Sequence, residues 1–119
     1  MELGDNIYIA FGSWFNASMV IESDVLFGPY CMIAGSNHTF GNGSFRYGGD
    51  ENRGPIVVKY GSWVGGMCSI VAGGGVGARC LLAANSVLND QMSDGSIYGG
   101  TPAKKIGEVE PGKNLVFEA

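Results

Sequence analysis

Large apolar residues recur at every sixth position over most of the chain. Two runs of six residues carry this repeat, Leu3, Ile9, Phe15, Ile21, Phe27 and Ile33, then Val58, Val64, Ile70, Val76, Leu82 and Leu88. A period of six fits neither the about 3.6 residues per turn of an α-helix nor the about 3.5 of a coiled coil. The repeating unit is therefore not an amphipathic helix.

A smaller side chain stands four residues after most repeat residues. This second set is Ile7, Ser13, Met19, Val25, Cys31 and Asn37, then Ser62, Cys68, Gly74, Cys80, Ser86 and Met92. Two inward side chains that flank an outward one indicate a short β-strand, and the Gly, Asn, Asp and Ser residues between them favour turns. The sequence predicts an all-β chain of about four parallel coils, with three strands per coil, over residues 3–38 and 58–93.

The repeat is interrupted once, between residues 39 and 55. This segment contains five glycines and a mixture of aromatic and charged residues: Phe40, Phe45, Arg46, Tyr47, Asp50, Glu51 and Arg53. Such a segment is suited to a protruding loop that contacts a polar ligand, although a tolerated insertion would look the same. We expect one domain over residues 1–107, with loop 39–55 inserted, and a tail over residues 108–119.

Composition and charge narrow the possible partners. Glycine accounts for 21 of the 119 residues, charged residues for 15%, and the net charge is −4, so the chain offers no basic stripe for nucleic acid. The uncharged stretch from residue 60 to residue 78 includes seven glycines, which leaves too little apolar side chain for a membrane span. The acidic N-terminus does not resemble a signal peptide. These features predict a cytoplasmic protein without a nucleic acid or membrane partner.

His38 is the only histidine, and it lies where the coils give way to the loop. An imidazole is well matched to proton transfer near neutral pH, although a lone histidine is also compatible with an incidental surface position. The cysteines Cys31, Cys68 and Cys80 occupy small inward positions and lack C-x-x-C spacing, so we expect buried thiols and no metal site. No G-x-S-x-G sequence surrounds a serine, so the sequence does not predict a serine nucleophile of that kind.

Four segments, in this order, resemble one enzyme family. They are Gly35-Ser36-Asn37-His38-Thr39, residues 55–66 with Trp63, residues 82–88, and Tyr98-Gly99-Gly100-Thr101-Pro102-Ala103-Lys104. Together with the hexapeptide pattern, they are similar to the hexapeptide-repeat acyltransferases, in particular the sugar and xenobiotic O-acetyltransferases such as the maltose and galactoside enzymes. The resemblance covers residues 5–107. It implies a left-handed parallel β-helix, acetyl-CoA as co-substrate and no metal.

The resemblance also implies roles for individual residues. His38 would be the general base on a hydroxyl of a small acceptor, expected to be a sugar, in a direct ternary-complex transfer. Asn16 and Asn37 would contact the acceptor. The coenzyme would be bound by Trp63, Gly65, Ala83, Ala84, Thr101 and Lys104. For Trp63 the alternative is a packing role, and for Asn16 a turn. The family further implies a homotrimer with active sites between subunits.

Two departures from the family pattern leave other functions open. Asn89-Asp90 stands where many relatives have Thr-Lys, and Gly107 replaces a basic residue. The loss of two cations weakens the expected contacts with the coenzyme phosphates. The alternatives are an N-acetyltransferase that acts on an amino sugar or a nucleotide-linked sugar, and a trimeric β-helix scaffold without catalysis.

Overall fold

The structure is a computed structural model that describes residues 1–45 and 54–112. These residues form fifteen short strands and no helix. In chain order the strands are β1 (Glu2–Leu3), β2 (Tyr8–Ile9), β3 (Trp14–Asn16), β4 (Met19–Ile21), β5 (Leu26–Phe27), β6 (Met32–Ala34), β7 (Phe40–Gly41), β8 (Ser44–Phe45), β9 (Ile56–Val58), β10 (Trp63–Val64), β11 (Ser69–Val71), β12 (Leu81–Leu82), β13 (Val87–Leu88), β14 (Ser96–Gly100) and β15 (Ala103–Glu108). Arg46, Tyr47, Asp50, Glu51 and Arg53 of the expected loop, and tail residues 113–119, lie outside the described residues.

Strands three hexapeptides apart pair in parallel and build three sheets. Face A contains β1, β4 and β9, and face C contains β3, β6, β11 and β13. Face B contains β2, β5, β10, β12 and β14, with β15 added antiparallel at its end. Across the loop, Met19 pairs with Ile56 in the same register. The predicted all-β repeat is confirmed, and the insertion leaves the sheets continuous.

The repeat residues point inward, as their spacing predicts. Phe27, Ile33 and Val64 are at most 1% exposed, and Ser62 is equally buried two positions before Val64. One residue before Phe27, Leu26 faces solvent at 47% exposed, whereas Leu81, one residue before Leu82, is buried at 6%. Leu3 and Ile9 are 59% and 42% exposed because their strands have a neighbour on one side only.

Three edges join the faces. We name them the A–B edge (residues 4–7, 22–25, 59–62, 77–80 and 92–95), the B–C edge (10–13, 28–31, 65–68 and 83–86) and the C–A edge (17–18, 35–45, 54–55, 72–75 and 89–91). Left-handed residues stack at the A–B edge as Asn6, Asp24, Gly61 and Arg79, and at the B–C edge as Gly12, Tyr30, Met67 and Asn85. These stacked conformations explain why short polar residues and glycine are frequent at the turns.

All three cysteines are buried inside the coils as free thiols. The Sγ of Cys31 donates to the Gly65 carbonyl at 3.3 Å, and the Sγ of Cys68 donates to the Ala83 carbonyl at 3.1 Å. Desolvation raises the pKa of Cys31 and raises that of Cys68 to about 11. Burial therefore favours the protonated thiols of Cys31 and Cys68, which act as small core residues.

This environment predicts slow thiol chemistry in the native protein. We expect a disulfide reagent at pH 8 to label the native thiols slowly and all three cysteines quickly in guanidinium, with glutathione as the reference. The folded state binds the Cys68 proton more tightly than the unfolded state does, and this difference stabilises the fold. The stabilisation is complete below pH 9.0 and is lost as the pH rises towards about 11. Fast labelling of the native protein at pH 8 would contradict the buried positions.

Candidate active site

His38 lies on the C–A edge, where the chain leaves face C after β6. At Gly35 the backbone N–H donates to the Asn16 carbonyl at 3.1 Å, and a Cβ built there would lie 2.7 Å from the Ala17 Cβ. This close contact holds the backbone of Gly35 against Ala17 at the position where the loop leaves the coil. The side chain of His38 is exposed, so it is accessible to a ligand at this edge.

The β7–β8 hairpin follows directly after His38. Phe40 and Phe45 face each other across it with ring centroids 5.0 Å apart. Both rings are largely exposed. The histidine thus lies between the end of a coil and an aromatic hairpin, an arrangement that can border a small-molecule site.

Asn16 and Asn37 lie near His38 along the fold. Asn16 ends β3 and pairs with Ala34 at the end of β6, while Asn37 follows in the loop. Both asparagines are exposed. The structure therefore places His38 and Asn37 in the C–A edge and Asn16 at the residue directly before it.

The predicted coenzyme residues Gly65, Ala83 and Ala84 lie at the B–C edge. The Gly65 N–H donates to the Leu82 carbonyl at 2.8 Å, and a Cβ on Gly65 would lie 2.7 Å from the Ala84 nitrogen. Close stacking of the coils is thus sufficient to require glycine at position 65. At these three positions the side chains are small, while Met67 is exposed nearby on the same edge.

Thr101 lies in the turn between β14 and β15, and Lys104 lies near the start of β15. Both are exposed, and Lys104 pairs with Gly99. The neighbouring Lys105 donates to Glu108 at 2.8 Å, and this hydrogen bond raises the pKa of Lys105. Since Glu108 partly compensates the charge of Lys105, Lys104 is the better placed of the two to meet an anion.

Trp63 is half-buried on face B and borders a cavity of about 310 Å³ that the sequence did not predict. Arg79 lines the cavity as well, together with Val109 and Pro111 from the segment after β15. An adjoining cavity of about 300 Å³ also includes Arg79. The signal that could have singled out Arg79 is its isolation, because it is the only charged residue between Lys59 and Asp90.

Within one chain, six of the nine predicted residues form two groups on opposite edges of face C, while Trp63, Thr101 and Lys104 lie on face B or in the turn at its end. His38 and Asn37 lie at the C–A edge and Asn16 directly before it, whereas Gly65, Ala83 and Ala84 lie at the B–C edge. Each chain therefore presents two half-sites.

In residues 1–45 and 54–112, no three His, Cys, Asp or Glu side chains are grouped to hold a metal ion, and no helix is long and apolar enough to cross a membrane.

Curated relatives of the chain have acetyltransferase names. A Saccharomyces cerevisiae protein, described provisionally as an acetyltransferase, is 28% identical over 116 residues, which cover 91% of this chain and 59% of that protein. A probable acetyltransferase of Mycobacterium tuberculosis is 24% identical over 110 residues, or 89% of this chain and 36% of that protein. No protein-family model matches the chain.

Solved structures show the same architecture. A hexapeptide-repeat-containing acetyltransferase from Vibrio cholerae, complexed with acetyl coenzyme A, has a TM-score of 0.77 and 28% identity over 91% of this chain and 60% of its own. A maltose O-acetyltransferase from Clostridium difficile has a TM-score of 0.77 and 23% identity, with coverage of 91% and 58%.

The predicted resemblance to hexapeptide-repeat acetyltransferases is thus confirmed. The likeness to the maltose O-acetyltransferase lies below 25% identity and concerns the fold alone. The chain spans about 60% of the length of the yeast and Vibrio relatives.

Proposed function

We propose that the protein is an acetyl-CoA-dependent acetyltransferase that transfers an acetyl group to a hydroxyl of a small acceptor, expected to be a sugar. The observation that carries this proposal is the similarity, over 91% of the chain, to an acetyltransferase structure complexed with acetyl coenzyme A. The proposal includes a left-handed winding of about four coils, a hexapeptide-repeat domain over residues 1–107 and a tail over residues 108–119, the first residue of which still belongs to β15.

His38 is the general base in this proposal. Its exposed imidazole accepts the acceptor's hydroxyl proton while the oxygen attacks the carbonyl carbon of the thioester. The carbon–sulfur bond then breaks, and the proton passes to the departing coenzyme A sulfur. Asn16 and Asn37 orient the acceptor from the same edge. No covalent enzyme intermediate is required.

The coenzyme runs along the B–C edge in this proposal. Gly65, Ala83 and Ala84 offer small side chains and backbone groups to the extended arm, and Trp63 adds an aromatic surface. Thr101 and Lys104 lie further along, towards the nucleotide end. Because one chain carries the two half-sites on opposite edges, we propose a homotrimer in which each active site lies between subunits.

A panel of acceptors distinguishes the possible functions. The protein is incubated with acetyl-CoA and maltose, a galactoside, glucosamine or a nucleotide-linked amino sugar, and released thiol and product mass are measured. Hydroxylamine cleaves an O-acetyl ester but does not cleave an amide, so it distinguishes O-acetylation from N-acetylation. We expect an ester on a sugar. An amide would favour the N-acetyltransferase, and the absence of both coenzyme A binding and transfer would favour the scaffold.

Coenzyme A binding is predicted to be weakened by Asp90. Its exposed carboxylate accepts from the Gln91 N–H at 2.8 Å. Asp90 lies at the C–A edge, so in the proposed trimer it approaches a coenzyme phosphate from the neighbouring subunit. A negative charge there opposes binding by about 1 kcal/mol at a surface-like dielectric, or several-fold in affinity. We expect Asp90→Lys to tighten binding in calorimetry and Lys104→Ala to weaken it.

Asp90→Asn is the matched control, since it removes the charge and keeps the shape. Its affinity should lie between those of the native protein and Asp90→Lys, and added salt should reduce the differences. Equal affinities for all three proteins would place Asp90 away from the phosphates.

A further inference from the structure

A tight hairpin follows His38 and interrupts the repeat. Its strands β7 and β8 are joined by Asn42 and Gly43, whose φ angles of 52° and 80° are both positive. Two positive φ angles in a two-residue connection are what a type I′ turn requires, and the twist of this turn matches that of paired strands. Asn-Gly is also the sequence that favours this turn most strongly. The hairpin is therefore a defined local structure.

One face of the hairpin is aromatic. Phe40 and Phe45 lie opposite each other in the antiparallel pair, and their rings pack edge to face with 73° between the ring planes. The two side chains are 64% and 75% exposed. Side chains alternate along a strand, so Gly41 and Ser44 belong to the other face of the hairpin. Phe40 and Phe45 thus form an exposed apolar surface, which we name the aromatic platform.

The aromatic platform is within reach of a small molecule bound at His38. Phe40 follows His38 by two residues, which span at most about 7 Å between Cα atoms. Phe45 is held beside Phe40 by the pairing of the two strands. Asn37 adjoins His38 on the other side in the sequence. An acceptor with its hydroxyl at the imidazole can therefore contact a polar side chain at one end and two aromatic rings at the other.

We propose that the aromatic platform selects acceptors that carry an aryl group beside the reacting sugar ring over acceptors with the same sugar and no such group. This inference rests on the proposed function and narrows its acceptor class. Aromatic side chains bind a flat apolar group by stacking with it and by removing it from water. The exposed rings of Phe40 and Phe45 gain both contributions when an aryl group covers them.

The aromatic platform determines specificity through binding and takes no part in the proton transfer. Phe40 and Phe45 contact a part of the acceptor that does not react, and they contact it equally in the ground state and in the transition state. Such uniform binding lowers KM and leaves kcat unchanged. The effect of these residues on the kinetics is therefore distinct from that of His38, whose loss lowers kcat.

Two acceptors that differ only in the apolar group test the inference. Phenyl β-galactoside and methyl β-galactoside offer the same hydroxyls. We expect kcat/KM for acetyl transfer to be about two- to tenfold higher for the phenyl compound, through KM, which is the range that an aromatic contact provides. Phe40→Ala/Phe45→Ala should bring this ratio close to one. Phe40→Tyr/Phe45→Tyr keeps both rings and should retain the native ratio.

Tyr60→Ala is the matched control, because Tyr60 is an exposed aromatic residue at the A–B edge, away from both half-sites. It should keep the native kcat and the native ratio of the two acceptors. Light scattering tests the other possible occupant of the aromatic platform, a second copy of the chain. A change of the native mass in Phe40→Ala/Phe45→Ala would assign the rings to a contact between subunits and overturn the inference.

Binding of the two galactosides without acetyl-CoA distinguishes this inference from the proposed function. In saturation-transfer NMR, the phenyl protons should receive the strongest transfer from the native protein, and Phe40→Ala/Phe45→Ala should abolish it. A native protein that shows this binding but transfers no acetyl group would keep the aromatic platform as an aryl-binding surface and refute the proposed function. Acetylation of both galactosides with equal kcat/KM would support the proposed function and overturn this inference.

Discussion

Replacing His38 by alanine is expected to lower kcat by about a hundredfold to ten-thousandfold, because a positioned general base contributes that much to proton transfer. The exposed side chain follows β6 and makes no part of the buried core. The fold should therefore survive the substitution. Initial rates with saturating acetyl-CoA and the best acceptor of the panel give kcat and KM separately, so that a loss of chemistry is distinguished from a loss of binding.

Coenzyme A affinity is the control for this variant. It should be unchanged in His38→Ala, since the predicted coenzyme residues come from the other half-site. His38→Gln keeps a polar side chain but cannot serve as the base, and it should be as slow as His38→Ala. A variant with the native kcat would remove His38 from the mechanism.

The sequence was sufficient to predict the sheets because the repeat is local. The two inward positions of each strand are only two residues apart in the sequence. The burial of Cys68 and Ile70 could therefore be predicted from the local pattern alone. The corners could be predicted only in part. Tyr30, Met67 and Arg79 adopt left-handed conformations although large side chains do not favour them, because stacking between coils overrides the preference of a single residue.

The candidate site could likewise be predicted only in part from the sequence. His38 could be singled out from the sequence because it is the only histidine and stands at the break in the repeat. The cavity beside Trp63 and Arg79 could not be predicted, because its other wall is the non-repeating segment at Val109 and Pro111. The position of that segment depends on long-range contacts, which a six-residue pattern does not encode.

Truncating Phe27 to alanine is expected to lower the free energy of unfolding by about 3–5 kcal/mol, since removal of a fully buried aromatic ring leaves a cavity. Phe27 is 1% exposed, and its ring lies 5.0 Å from that of Phe15 between centroids. Its strand β5 is paired on both sides, with β2 and β10, so the surrounding backbone has little freedom to collapse into the space.

Leu26→Ala is the control, because the preceding side chain points outward from the same strand and is 47% exposed. Its cost should stay below about 1 kcal/mol. Urea unfolding at one fixed protein concentration compares the two variants, because association would make the midpoint depend on concentration. Equal losses for Phe27→Ala and Leu26→Ala would mean that burial does not alternate along β5, and the inward repeat on which the fold rests would be wrong at this strand.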